Sequence, residues 1–456
     1  MPLSSFFPPV LTPSYLLALL PVLLETLGLA VGAMFVAFTI SLPLGIAAGL
    51  RLPGTGGLLA ALAAVRAIPD LTMAILCVIL FGVGPGAGLL ALAIYYTAVV
   101  AKIFADILRT APRGPQDALR AIGASRLQVA LYALLPLKRA DLLTYGAYEF
   151  ESALRASIIV GAVGGGGLGS ELVGSLAALD FRRVTTQIVL LVATVAILDQ
   201  AATWLRRHPR WLPALVPVGV YALLTYAPHL LAFRHSLHVF GRMFPPELGP
   251  QDWSALVERL WETAWMAVAG TAGAVVVAIV AGILTARNLV PAWLSWPVRR
   301  TMELLRSVPE VVWGLLLIAG MGVGPVAGAA ALGIHSAGCL AKLFAESLEN
   351  APVAPQLAIA GTGASPLVVA AFATFPLSLG PLAVHSLFRL EWNLRMATVM
   401  GLIGAGGIGQ ALYDAQQLFF YRQMMAYILI TWLLVTIVDS ASTATRRRFH
   451  LSLVPL

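Results

Sequence analysis

Long apolar runs alternate with short polar clusters over the whole chain. Runs near 26–50, 68–83, 86–108, 139–163 and 184–205 are answered by a second series near 262–286, 308–323, 326–348, 379–403 and 424–445. Their length and composition predict helices that cross a bilayer, which takes about 20 apolar residues per helix. A further apolar run, 211–232, separates the two series and predicts one more crossing. The stretch 15–24 is too short to span alone and is expected to form an interfacial or leading helix.

Composition supports this pattern. Of 456 residues, 59% are apolar and 11% charged, with mean hydropathy +0.88, against about 25% charged in ordinary soluble domains. Twenty-nine basic and 21 acidic residues are too few to cover a soluble protein of this length. Collagen-like, disordered, disulfide-scaffold and nucleic-acid-binding classes are excluded together. The net charge of +8 collects at the ends of apolar runs, as the positive-inside rule requires. With the N-terminus outside, segments 51–66, 109–139, 206–210, 287–306 and 446–448 face the cytoplasm and hold 18 of the 29 Lys and Arg. The outside loops hold six, of which Arg234, Arg242 and Arg259 run against the rule. Residues 1–24 contain no Lys or Arg, so no cleavable signal is expected. Cys77 and Cys339 lie in apolar runs without metal-ligand spacing and read as small buried hydrophobes; no metal site is expected.

The chain repeats itself. Arg66-Ala67-Ile68-Pro69-Asp70 returns as Arg306-Ser307-Val308-Pro309-Glu310, an offset of 240. Gly82-Val83-Gly84-Pro85 returns as Gly322-Val323-Gly324-Pro325, and Ala101-Lys102-Ile103-Phe104-Ala105-Asp106 as Ala341-Lys342-Leu343-Phe344-Ala345-Glu346. From Glu151 to Gly169, 8 of 19 positions equal those from Glu391 to Gly409. A shared apolar composition alone does not hold one register across a hundred residues, so the offset is expected to stay at 240 throughout. Residues 1–205 form a first repeat, 206–255 a linker with an additional transmembrane helix, and 256–456 a second repeat. An odd number of spans per repeat explains the linker, because one extra crossing lets both repeats point the same way.

Cytoplasmic loops carry the most specific motif. Asp117-Ala118-Leu119-Arg120-Ala121-Ile122-Gly123 is followed thirteen residues after its glycine by Pro136, in Ala133-Leu134-Leu135-Pro136. The same spacing recurs from Gly363 to Pro376, although Leu357-Ala358-Ile359-Ala360-Gly361-Thr362-Gly363 has neither acid nor arginine. This resembles the EAA loop of ABC-importer permeases. The strings Arg306–Trp313, Lys342–Glu346, Glu391–Arg395 and Gly401–Gly409, in that order, resemble the phosphonate-type permease family within that group. The resemblance covers nearly all of half two and most of half one. It implies an all-α polytopic membrane protein: two homologous parallel repeats of about five transmembrane helices joined by an extra crossing helix, the type I ABC importer architecture. It implies a bacterial cytoplasmic membrane location and import of phosphonate, phosphate or a related phosphorus oxyanion. The implied partners are two copies of a separate ATPase, which bind ATP and magnesium, and an extracytoplasmic substrate-binding protein. Asp117, Ala118, Arg120, Gly123, Ala358 and Gly363 then belong to coupling helices that dock on the ATPase, with Asp117 and Arg120 offering charge pairs to it.

Within the spans, Glu151/Arg155 and Glu391/Arg395 share i, i+4 spacing, which puts acid and base on one helix face. Ionisable groups inside a membrane are costly. Two readings stand for these residues: neutralised pairs that orient helices, or two symmetry-related arginines that converge on a central path and offer bidentate hydrogen bonds to an oxyanion. Lys102/Asp106 and Lys342/Glu346 read as ion pairs at a helix end. The glycines of Gly164–Gly169 and Gly404–Gly409, notably Gly164, Gly166, Gly169, Gly404, Gly406 and Gly409, fit G-x-G-x-x-G but lack a preceding strand. They read as a turn or gate, with free backbone amides as a further anion contact. His335 and His385 read as buried, hydrogen-bonded residues. No P-loop string occurs in the chain, so ATP hydrolysis is assigned elsewhere. A secondary transporter of parallel repeats has no reason to keep the EAA spacing twice. A membrane-embedded lipid-phosphate enzyme would need His, Asp or Ser clustered at a membrane edge, and none is seen.

Overall fold

The computed structural model describes residues 7–228 and 233–449, and all regular structure among them is helical. Contacts divide the chain into two compact units, the first ending at Phe244 and the second beginning at Pro245. The first contains α1 (Pro13–Gly49), α2 (Thr55–Arg66), α3 (Asp70–Phe81), α4 (Pro85–Arg109) and α5 (Arg113–Ala121). Then α6 (Arg126–Val129) runs through a π-helical turn, Ala130–Leu134, into α7 (Leu135–Val160). After these come α8 (Leu168–Ala177), α9 (Phe181–Arg207), α10 (Leu215–Tyr226) and α11 (Phe233–Arg242). The second unit has α12 (Pro250–Thr285), α13 (Ala292–Ser307), α14 (Glu310–Met321), α15 (Pro325–Glu349), α16 (Val353–Ala360) and α17 (Pro366–Val369). A matching π-turn, Ala370–Thr374, leads into α18 (Phe375–Leu402), followed by α19 (Gly407–Gln417) and α20 (Tyr421–Arg448).

Among the described residues seven helices are long and apolar enough to cross a membrane, and up to ten crossings result if each of three bent pairs counts as one. That is five per unit. The bends are 87° between α2 and α3, 61° between α7 and α8, and 89° between α13 and α14. Proline explains the two sharpest. Pro69 and Pro309 are extended at the entrance to the second helix of each pair. Their rings also push Ile68 and Val308 out of helical geometry.

The linker is described in part. Of its apolar run, Leu215–Tyr226 form the 12 residues of α10, about 18 Å of helix, while 229–232 lie outside the described residues. Pro213 sits within a 3₁₀ turn over Pro209–Ala214 that leads into α10, and Pro217 in the first turn of α10. The short helix lies against α1, where Gly219 abuts Phe35 and Gly28 abuts Tyr226. The segment 15–24, in turn, is no separate helix; it opens the 37-residue α1.

A seam of small residues lets the first and third spans of each unit approach closely. In the second unit, Ala274, Ala278 and Ala281 of α12 meet Ala337, Leu340, Ala341 and Phe344 of α15. A Cβ on Gly282 would lie 2.8 Å from that of Phe344, and one on Gly45 would lie 2.9 Å from that of Phe104. Small residues at this seam permit backbone contact where lipid supplies no hydrophobic drive for association. These two contacts also correct the register. Phe104 and Phe344 are 240 apart, but Gly45 and Gly282 are 237 apart. Upstream of Arg66 the repeat slips by three residues, taken up mostly in α13, 16 residues long against 12 in α2, with the connection before it one residue longer.

Candidate functional site

The loop helices α5 and α16 occupy matched places in their units. Gly123 (φ +85°) and Gly363 (φ +82°) stand just beyond them in the left-handed region. Gly123 N donates to Arg120 O at 3.0 Å and Ala124 N to Leu119 O at 3.0 Å, the double bond of a Schellman stop. Gly363 N donates likewise to Ala360 O at 3.0 Å. The two surfaces differ. On α5, Arg120 and Asp117 pair with one another at 3.3 Å and both stay exposed. On and after α16 the exposed side chains include the apolar Val353, Leu357, Leu367, Val368 and Phe372. No ionisable residue occurs between Glu349 and His385.

The glycine segments form turns at the end of the fourth span. Gly164, Gly166 and Gly167 have φ of +103°, +83° and +72°; Gly404, Gly406 and Gly407 have +96°, +90° and +74°. Gly169 and Gly409 serve close approach instead, since a Cβ on either would strike the carbonyl of Ile158 or Thr398. The amides these turns expose are already taken by side chains from the first span. Gly167 N donates to Glu25 Oε1 at 3.0 Å and Leu168 N to Thr26 Oγ1 at 2.7 Å. Gly407 N donates to Glu262 Oε2 at 2.6 Å and Ile408 N to Thr263 Oγ1 at 2.9 Å. A carboxylate thus sits at the N-terminus of α8 and of α19, where the helix dipole favours it. This corrects the expectation that these amides stand ready for an anion. The Glu-Thr pair recurs at an offset of 237, so a reading fixed on 240 passes over it.

The charged residues of the fourth span behave differently in the two units. In the first, Arg155 Nη1 donates to Glu151 Oε1 at 2.6 Å, both largely buried. In the second, Glu391 and Arg395 do not pair with each other. Arg395 Nη2 donates to Asp439 Oδ2 at 2.5 Å, and Arg446 Nη1 to Glu391 Oε1 at 2.7 Å. The reason is α20, which brings a carboxylate and a guanidinium of its own alongside α18. Arg446 also lies 4.1 Å above the Phe388 ring, so one of the three terminal arginines turns inward. Asp439 carries a sequence signal, an acid within a span whose counterpart at offset 240 is Asp199. Lys102–Asp106 at 3.0 Å and Lys342–Glu346 at 3.8 Å are exposed helix pairs.

A polar cluster that spacing did not single out lies inside the second unit. Glu310 Oε1 accepts from Trp392 Nε1 at 2.9 Å, with His335 Nε2 at 3.4 Å. His335 Nδ1 is 2.9 Å from Val308 O, and Cys339 Sγ is 3.6 Å from Nε2. Among the described residues no group of three or more His, Cys, Asp or Glu is placed to hold a metal ion.

Two matched sets of helices, each with a docking-sized surface helix and charged residues buried in its fourth span, define a polytopic membrane transport protein duplicated within one chain. The family of binding-protein-dependent transport system inner membrane components matches residues 41–211 and 278–451, and the chain belongs to it. Similar proteins include the phosphate-import permease protein PhnE of Mycolicibacterium smegmatis, 31% identical over 453 residues, covering 93% of this chain and 84% of that protein. The phosphite transport system permease protein PtxC of Stutzerimonas stutzeri is 38% identical over 211 residues, covering 46% of this chain and 76% of that protein. A relative of half the length matches one repeat, while the full-length relative spans both.

Proposed function

We propose that this chain is the permease subunit of an ATP-binding-cassette importer and carries a phosphorus oxyanion such as phosphate, phosphite or a phosphonate. The observation that carries this reading is the match to a phosphate-import permease over 93% of the chain, joined to two loop helices with the Gly-to-Pro spacing of ATPase-coupling segments. In this reading α5 and α16 each receive one ATPase subunit, which binds ATP and magnesium. A substrate-binding protein delivers the anion from outside. The N-terminus faces outward and Arg446–Arg448 the cytoplasm of a bacterium, as the charge bias of the loops favours. Arg155 and Arg395 supply cationic relief along the path, and their carboxylate partners keep binding weak enough for release. A bare oxyanion in an apolar passage meets a desolvation penalty of several kcal/mol or more.

The test is uptake into vesicles reconstituted with the permease, its ATPase and its binding protein. Uptake of radiolabelled phosphate or phosphite that needs internal ATP is expected. Uptake that proceeds without ATP and follows an ion gradient would assign the chain to secondary transport instead.

A further inference from the structure

The second unit contains a polar relay that the first lacks. Thr271 on α12 donates its hydroxyl to Ala267 O at 2.6 Å, so its oxygen accepts from Asn393 Nδ2 at 2.9 Å. Asn393 Oδ1 then faces Ser336, whose hydroxyl donates to it at 2.8 Å. Ser336 Oγ in turn accepts from Arg389 Nε at 2.7 Å. Ser336 and Asn393 are fully buried. Each donor along the relay has one acceptor, so the last member, the Arg389 guanidinium, is held in one orientation.

That guanidinium is under-used. Its Nη2 is buried and makes no hydrogen bond, and the Glu310 carboxylate lies 3.9 Å away. Glu310 is itself engaged with Trp392 and His335. A buried charged donor without an acceptor costs free energy, and a native structure that keeps one calls for an explanation. The guanidinium groups of Arg155 and Arg395, by contrast, each donate to a carboxylate at short range.

The first unit shows what the same fold does without the relay. At the positions 240 earlier, Arg389 is Glu149, Ser336 is Tyr96, Asn393 is Ala153 and Glu310 is Asp70. There the Tyr96 hydroxyl donates to Ser152 Oγ at 3.2 Å. An acidic residue thus stands where the other unit has a guanidinium, so the first unit offers no cation at that position.

We infer that Arg389 is an oxyanion contact contributed by the second half alone, its Nη2 pre-aimed by the Ser336–Asn393–Thr271 relay to donate to an oxygen of a tetrahedral phosphorus oxyanion. The inference rests on the transport function proposed above. Arg389 is the contact residue; Ser336 and Asn393 are positioning residues.

The test uses the complete reconstituted complex and measures labelled phosphate or phosphite delivered per ATP hydrolysed. Arg389→Gln should cut that ratio by about tenfold or more, while binding-protein-stimulated ATP hydrolysis and complex yield persist. Arg389→Lys should fall between, since an ammonium keeps the charge but not the fork. Ser336→Ala keeps the charge and removes the acceptor that orients it; a loss of about threefold is expected. Glu149→Gln should leave the ratio within about twofold, since no anion contact is assigned to half one there. Wild-type ratios in both Arg389→Gln and Ser336→Ala would overturn the inference. So would equal losses of delivery and ATP hydrolysis in both, which would mark the relay as structural. Wild-type vesicles that take up no phosphorus oxyanion would defeat the transport reading, and this inference with it.

Discussion

Arg395 and Asp439 tie α18 to α20 through a largely buried ion pair, and Glu391 with Arg446 makes a second tie between the same helices. Removing one member of such a pair strands its partner's charge and typically costs about 3–5 kcal/mol, whereas apolar replacement of both costs far less. Arg395→Met should therefore lower the thermal stability of the detergent-solubilised protein more than the double variant Arg395→Met/Asp439→Leu. A double variant no more stable than the single would show that the pair contributes nothing beyond packing. At this scale the sequence was half legible. The i, i+4 spacing placed the charges on one face of the fourth span, and in the first unit Glu151 and Arg155 do meet. In the second unit a neighbouring helix offers each charge a partner, and no spacing rule within α18 can reveal that.

Individual helices are closed by side chains from other helices. Glu25/Thr26 and Glu262/Thr263 cap α8 and α19 across more than a hundred residues of chain. Such a cap is worth about 1–2 kcal/mol to the helix it closes, and here it also fastens the first span to the glycine turn. Thr263→Val, which removes the acceptor for Ile408 N at little change in volume, should speed amide hydrogen exchange over the first turn of α19 and leave α20 unaffected. Unchanged protection there would show the cap to be dispensable. Gly406→Ala is expected to be worse, because the residue sits at φ +90° and its Cβ would come 2.8 Å from the Glu262 carboxylate. It should lower protein yield, while Ala substitution at exposed Gly273, with open space around it, should not. Helix α5 carries exposed charge and α16 exposed apolar side chains. Gly123→Asp should disrupt ATPase capture in a pull-down more than Gly363→Asp, and docking at the α5 side should weaken more as salt is raised. An equal or reversed loss would mean that the charge difference is irrelevant to docking.

Over the whole chain, two full-length helices separate each loop helix from the end of its repeat, and a crossing over 211–232 turns both repeats the same way, so 110–126, 350–366 and 446–448 should share one face of the membrane. Single cysteines placed in these three segments, in a background lacking Cys77 and Cys339, should label with an impermeant reagent only from the cytoplasmic side. Labelling of the two loops from opposite sides would remove the coupling-helix assignment. The duplication, the helical class and the five-span count per half were legible from apolar runs and a steady offset. The 3₁₀ turn around Pro213 ahead of α10 was not, because hydropathy does not register backbone geometry.

The three-residue slip records where this architecture tolerates a change in length. From Arg66 and Arg306 through the last helix of each repeat, most side chains have diverged, yet helix starts such as Pro85 and Pro325, or Phe181 and Tyr421, still stand 240 apart. Chain length within that block has been held more strictly than residue identity, as expected where helices must reach their neighbours in register. The stretch from the end of α12 into α13 accepted an insertion relative to its twin from α1 into α2, one residue of it in the connection itself. It marks the place where an engineer adding an epitope or a fluorophore handle would disturb the molecule least, and 287–291 is the segment to try first.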